Sequence, residues 1–189
     1  MTYIHPDLAR ILVSENDIHY RVREIARQIA RDYAGVEQLH LVGVLKGAFI
    51  FLADLARALT QIEDAPPHVV DFMAVSSYGR TTTSGEVRLV MDVREPIVDR
   101  HVVLVEDIVD SGRTVNYLLH TLQGRGPASL RSCALVRKDR PDLDAPAMDY
   151  LGFTIPDVWV VGYGLDYAEK HRTLPFIAEL RREVYEHPG

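Results

Sequence analysis

Ile18, Val22, Ile25 and Ile29 recur at helical intervals between residues 15 and 33, and Arg21, Arg23, Glu24 and Arg27 fall mostly off that stripe, which predicts an amphipathic helix. The next apolar run, "LHLVGVL" at residues 39–45, has no such period and is short and continuous, as a strand buried on both faces is. "KGAFIFLADLARALTQI" at 46–62 reads as a second helix, and "HVVDFMAVSS" at 68–77 as a strand rich in β-formers. "YGRTTTSGE" at 78–86 is polar, holds two glycines and reads as an exposed loop, followed by a strand "VRLVM" at 87–91. After residue 114, Val115, Leu118, Leu119 and Leu122 form one helix face, closed by "QGRGP" at 123–127. "SLRSCALVRK" at 129–138 predicts a strand, "DRPDLDAP" at 139–146 a loop, and "DVWVVGYGL" at 157–165 a last short strand. Strands alternating with helices predict an α/β fold with a mainly parallel twisted sheet flanked by helices. No internal repeat, low-complexity tract or linker interrupts the pattern, so residues 1–189 are expected to form a single domain.

Composition narrows the function classes. An apolar fraction of 47% and a charged fraction of 25% are those of an ordinary globular protein. A net charge of −6 argues against general nucleic-acid binding, which draws on a basic surface. It leaves room for a small anionic ligand held by a few local donors. Cys133 is alone, so no disulfide framework or cysteine zinc cluster is expected, and its apolar surroundings suit a core residue. The first residues lack a basic segment leading into an unbroken apolar run, so no signal peptide is expected. The most apolar stretch contains Lys46 and Asp54 and is too broken to span a membrane. A cytoplasmic protein is the expectation.

The chemistry gathers in "VVLVEDIVDSGRT", residues 102–114. A run fit for a buried strand meets Glu106 and Asp107, then Asp110, then a turn containing Ser111, Gly112, Arg113 and Thr114 that leads into the helix of Val115 and Leu118. Ligands of open α/β sheets bind beyond the carboxyl ends of the strands. Unpaired N–H groups at a helix start, with the helix dipole behind them, favour an anion. Gly112 allows close backbone approach and two hydroxyls add donors, so the turn suits a phosphate. It is not a Walker A loop, because no GxxxxGK[ST] occurs. Paired carboxylates beside a phosphate make sense if they face sugar hydroxyls or a divalent cation. The bland alternative is a solvated strand end, and for Asp110 a helix N-cap.

This stretch resembles the phosphoribosyl-diphosphate signature of type I phosphoribosyltransferases. "VGVLKGAFIFLADL", "VDFMAVSSYG", "ALVRK" and "IPDVWVVGYGLDYAEKHRTLP" are similar, in order and spacing, to segments of the 6-oxopurine branch, the hypoxanthine-guanine phosphoribosyltransferases. The resemblance spans roughly the whole chain. It implies the type I fold with a small hood formed by terminal segments. It also implies transfer of 5-phosphoribosyl from phosphoribosyl diphosphate to N9 of hypoxanthine or guanine, releasing pyrophosphate. Glu106 and Asp107 would hold the ribose hydroxyls, directly or through magnesium, and residues 110–114 the 5′-phosphate. Asp110 would be the catalytic acid or base near N7 of the base. Lys138 would donate to O6, with Arg137 as the neighbouring candidate. Trp159 stands where the family stacks an aromatic, frequently phenylalanine, on the purine, and the Val160 carbonyl would meet the base edge. Asp166 resembles the metal-site acid near pyrophosphate, making Glu106, Asp107 and Asp166 the expected Mg2+ ligands. Lys46, Gly47 and Arg172 resemble the pyrophosphate contacts, with a cis Leu45–Lys46 peptide. Ser77 and Tyr78 would begin a mobile lid over residues 77–86. The family usually forms dimers or tetramers, so a homo-oligomer is expected, with no nucleic-acid or membrane partner.

Two other functions compete. A regulator built on the same fold would bind phosphoribosyl diphosphate and a nucleic-acid site, against which the acidic charge counts. A phosphoribosyltransferase for xanthine or a pyrimidine would share the fold, and only the base-side residues separate it from the 6-oxopurine reading.

Overall fold

The computed structural model describes residues 5–77, 87–140 and 146–186. In chain order the elements are β1 (Leu8–Val13), α1 (Glu15–Asp32), β2 (Leu39–Leu45), α2 (Phe49–Thr60), β3 (His68–Ser77), β4 (Val87–Met91), β5 (His101–Val109), α3 (Arg113–Gln123), β6 (Ser129–Lys138), β7 (Tyr150–Ile155), β8 (Val160–Val161), β9 (Ile177–Leu180) and α4 (Arg182–Glu186). Six strands form one sheet in the order β4-β3-β2-β5-β6-β7, parallel except for β4, which runs antiparallel to β3. β1, β9 and β8 form a separate antiparallel sheet, the hood expected from terminal segments.

β5 shows why its run is continuous. Val103 and Val105 enter the core beneath α1 and α2, while Val102 and Leu104 face Val115, Leu118 and Leu122 of α3. Helices cover both faces of a parallel sheet, so alternate side chains are all apolar. α1 starts where Ser14 Oγ accepts from the Asp17 N–H at 3.2 Å and buries Ile18, Val22, Ile25 and Ile29, the expected stripe. None of the helices among the described residues is long and apolar enough to cross a membrane.

Three expectations are corrected. The helix expected over 46–62 begins only at Phe49, because residues 46–48 turn the chain off β2, with the Ala48 N–H returning to Val44 O at 3.1 Å. The strand expected over 157–165 is confined to Val160–Val161, since Gly162, Tyr163 and Gly164 take φ of 102°, 50° and 105° and curl the chain into a loop. It is also not the last strand, because β9 follows. β1, β7 and α4 were not expected.

The sheet order reverses between β2 and β5. From β2 the chain steps outward to β3 and β4, then returns to β5 on the other side of β2. The loops at the carboxyl ends of β2 and β5 therefore flank a topological switch point, where open α/β sheets leave a crevice for ligands.

Candidate active site

The loop after β2 is pressed directly against β5. The Leu45–Lys46 peptide is cis, as the resemblance implied. A Cβ on Gly47 would lie 1.7 Å from Asp107 Oδ2 and 2.4 Å from its Cγ, and a Cβ on Gly164 would lie 2.0 Å from the Gly47 carbonyl oxygen. The backbone of Gly47 is thus wedged between the Asp107 carboxylate and the loop after β8. That loop is fixed in turn where Tyr163 Oη donates to Asp54 Oδ2 of α2 at 2.5 Å.

Glu106 and Asp107 end the apolar run of β5. Glu106 is 4% exposed, and its Oε1 has no hydrogen-bond partner among the described residues. Burial, then the adjacent Asp107 charge, raise its carboxyl well above the usual range. Asp107 Oδ1 accepts from the Ile108 N–H at 2.8 Å, and burial raises this carboxyl too, with nearby Asp166 adding to the rise and Arg172 opposing it. A buried acid with an orphaned oxygen, Glu106, beside a partly buried one, Asp107, is suited to a bound cation or to donor hydroxyls. Their hard oxygen donors fit magnesium, which takes one or two carboxylates and completes its shell with water and substrate oxygens. Glu106, Asp107 and Asp166 do not bring three ligand atoms within 4.8 Å of one another; among the described residues only His5, Asp7 and His171 do so.

The loop after β5 lines a cavity of about 230 Å³ with Glu106, Asp107, Asp110, Ser111, Gly112 and Thr114 among its walls. Arg113 is the first residue of α3, exposed, and not part of that lining. Gly112, at φ 82°, caps α3 without a side-chain bond, and the first helical bond runs from the Asn116 N–H to Gly112 O at 2.9 Å. The N–H groups of residues 113–115 precede that bond and are the open donors of the helix start. Asp110 is not the cap. It is half exposed, and its Oδ1 lies 3.1 Å from Arg140 Nη1 and 3.4 Å from Lys138 Nζ.

Lys138, at the end of β6, reaches Asp110 and also Asp157, at 3.2 Å. Its side chain is 11% exposed, so two carboxylates share a largely sequestered ammonium. Trp159 lies two residues beyond Asp157 and is 52% exposed, with Tyr167 edge-on at 5.7 Å and Tyr185 tilted over it at 5.6 Å. Val160 is buried in β8. Asp157 and Arg140 were not foreseen; both are ordinary loop charges in sequence.

At the far side, Lys46 Nζ lies 3.1 Å from Glu169 Oε2. Arg172 donates to Gly164 O at 2.6 Å and sits 2.7 Å from Asp166 and 3.3 Å from Glu169. Glu169 was also not foreseen. Ser77 closes β3; Tyr78 and the rest of the expected lid, 78–86, lie outside the described residues, as do 141–145 of the expected 139–146 loop.

A family model described as the phosphoribosyl transferase domain matches residues 13–168. The hypoxanthine-guanine phosphoribosyltransferase of Dictyostelium discoideum is 42% identical over 180 residues, covering 93% of this chain and 97% of that protein. The protein of the same name from Mycobacterium avium is 44% identical over 188 residues, 95% of this chain and 89% of that one. Among solved structures, hypoxanthine phosphoribosyltransferase from Trypanosoma cruzi, in complex with the product IMP, has a TM-score of 0.88 and 44% identity, covering 97% of this chain and all of that one.

Proposed function

The chain belongs to the hypoxanthine-guanine phosphoribosyltransferases, and from that premise we propose that it transfers 5-phosphoribosyl from phosphoribosyl diphosphate to N9 of hypoxanthine or guanine, a purine-salvage reaction giving IMP or GMP and pyrophosphate. One observation carries the assignment of roles: Asp110 joins the phosphate loop to Lys138, so a sugar phosphate in that loop and a base at Lys138 would meet at its carboxylate. The open N–H groups after Gly112, with Ser111 and Thr114, hold the 5′-phosphate. Glu106 and Asp107 take the ribose hydroxyls. Lys46, Gly47 and Arg172 receive the pyrophosphate. Trp159 stacks on the base, whose edge meets the Val160 carbonyl. Lys138 exchanges its carboxylate partners for O6, an acceptor that adenine's amino group cannot supply. Asp110 accepts or returns the proton at N7 as the bond to N9 forms. Ser77 and Tyr78 begin the lid of a one-domain enzyme.

Glu106, Asp107 and Asp166 would hold magnesium together with the substrate, and the ion would supply positive charge where the leaving pyrophosphate gains negative charge. We further propose a cytoplasmic homo-oligomer, a dimer or tetramer. Exposed Val69, Val70, Val90 and Met91 on β3 and β4 support the assembly, and sedimentation of the purified chain tests it. The activity is tested by pyrophosphate release from phosphoribosyl diphosphate with hypoxanthine, guanine, xanthine, adenine and uracil in turn. Release with hypoxanthine or guanine well above adenine and uracil is expected; preference for uracil or adenine overturns the reading.

A further inference from the structure

Glu169 stands between the two cations that the proposed function gives to pyrophosphate. A single carboxylate oxygen, Oε2, lies 3.1 Å from Lys46 Nζ and 3.3 Å from Arg172 Nη2. Resting on that reading of Lys46 and Arg172, we propose that Glu169 is an internal anion that occupies the pyrophosphate subsite between turnovers and yields it to the incoming diphosphate.

The local backbone is built to aim this side chain. Ala168, Glu169 and His171 have φ of 50°, 63° and 66°, a left-handed conformation that side-chain-bearing residues adopt only where the surroundings impose it. Tyr167 and Lys170 exchange two backbone hydrogen bonds around the turn, at 3.2 and 3.0 Å. Asp166 Oδ2 accepts from the Glu169 N–H at 2.8 Å, and His171 Nε2 bonds Asp7 Oδ2 at 2.9 Å, tying the turn to the segment before β1. These contacts hold the turn, and none of them occupies the Glu169 carboxylate.

The pairing is also easily exchanged. The side chains of Lys46 and Glu169 are about two-thirds exposed, and an ion pair that open to water is weak. Arg172 is different. It is 15% exposed and keeps the Gly164 carbonyl and the Asp166 carboxylate when Glu169 departs. The movable part is therefore the Glu169 side chain with the exposed ammonium it meets, while the guanidinium stays in place. A diphosphate brings several oxygens to donors that Glu169 satisfies with one, and so displaces it. On pyrophosphate departure the carboxylate returns, so that Lys46 regains a counter-charge. The consequence is a subsite whose affinity for pyrophosphate is deliberately lowered, which favours release of that product.

The test is calorimetric titration of inorganic pyrophosphate with magnesium into wild type, Glu169→Gln, Lys46→Ala and the double variant. Glu169→Gln keeps the shape and removes the charge; it should tighten pyrophosphate by roughly two- to five-fold, the range set by a weak exposed ion pair. Glu169→Asn, a residue type at ease with left-handed backbone, should tighten it likewise. In the Lys46→Ala background the gain should shrink. If Lys46→Ala leaves pyrophosphate affinity unchanged, the assignment of the subsite itself is wrong. If Lys46→Ala weakens binding while both Glu169 variants bind no tighter than wild type, the subsite stands and the internal-anion role is overturned.

Discussion

Replacing Gly47 by alanine tests the contact that holds the β2 loop against β5. The added methyl would sit 1.7 Å from Asp107 Oδ2, 2.4 Å from Cγ and 2.9 Å from Oδ1. Nonbonded heavy atoms rest at about 3.5–4.0 Å, so the nearest approach is under half the tolerated distance. The conflict involves Cγ as well as the oxygens, so rotating the carboxylate alone does not clear it. Rotation also breaks the 2.8 Å bond from the Ile108 N–H. Retreat of Gly47 is blocked on its other side by Gly164. Overpacking of this kind costs about 1–3 kcal/mol. For a chain of this size that corresponds to a melting point lower by about 3–9 °C. Binding of phosphoribosyl diphosphate should weaken at the same time, because Asp107 is the group displaced. Thermal melts and calorimetry of the ligand-free protein read both effects. Gly35→Ala is the control: its φ is 78° and no atom lies within 4 Å of the new methyl, so it should lose stability through backbone strain with substrate affinity intact. Adding Asp107→Ala to Gly47→Ala should restore much of the melting point and none of the affinity. A Gly47→Ala protein that melts and binds like wild type refutes the wedge.

Lys138→Ala should lower activity on hypoxanthine and guanine together, by the roughly 1.5–3 kcal/mol of a charged hydrogen bond, measured as kcat/KM; the same loss from Arg137→Ala instead would move the contact one residue. Exhaustive chelation should abolish activity and manganese should restore part of it, whereas full activity without divalent cation contradicts the role given to the three acids. Glu106 holds its proton more tightly folded than unfolded, so stability is greatest below the ordinary value of 4.5 and falls as pH rises through the folded value. In magnesium-free, substrate-free protein, Glu106→Gln should therefore raise the melting point at pH 8 and change it little near pH 4.5; an equal change at both would contradict the burial argument.

The strands over 39–45, 68–77, 87–91 and 129–138 were legible because each is an apolar or β-branched run bounded by turns, and the structure ends them at the same residues. β7 was not, because Gly152 and Thr154 break its pattern; Gly152 is there because a Cβ would lie 2.1 Å from the Leu135 carbonyl oxygen. β9 has four residues, too few for a period to show. In the site, Glu106, Asp107 and Asp110 stood out since carboxylates interrupt an apolar run. Arg140 and Glu169 did not, because their meaning lies in partners 30 and 123 residues away in the chain. The alternative of Asp110 as helix cap was open from sequence, and only the position of Gly112 closes it.

The central claim is that the loop after β5 places a phosphoribosyl group beside a base whose proton Asp110 handles. The direct measurement is a single-turnover rate with hypoxanthine, taken alongside calorimetric binding of phosphoribosyl diphosphate, for wild type and Asp110→Asn. Asparagine nearly keeps the shape and cannot accept the proton as a carboxylate does. The chemical step should slow by roughly the 10²–10⁴-fold typical of general acid–base groups, while phosphoribosyl diphosphate still binds. A normal chemical step in Asp110→Asn would contradict the account and leave Asp110 a partner of Lys138 and Arg140 with no part in the chemistry.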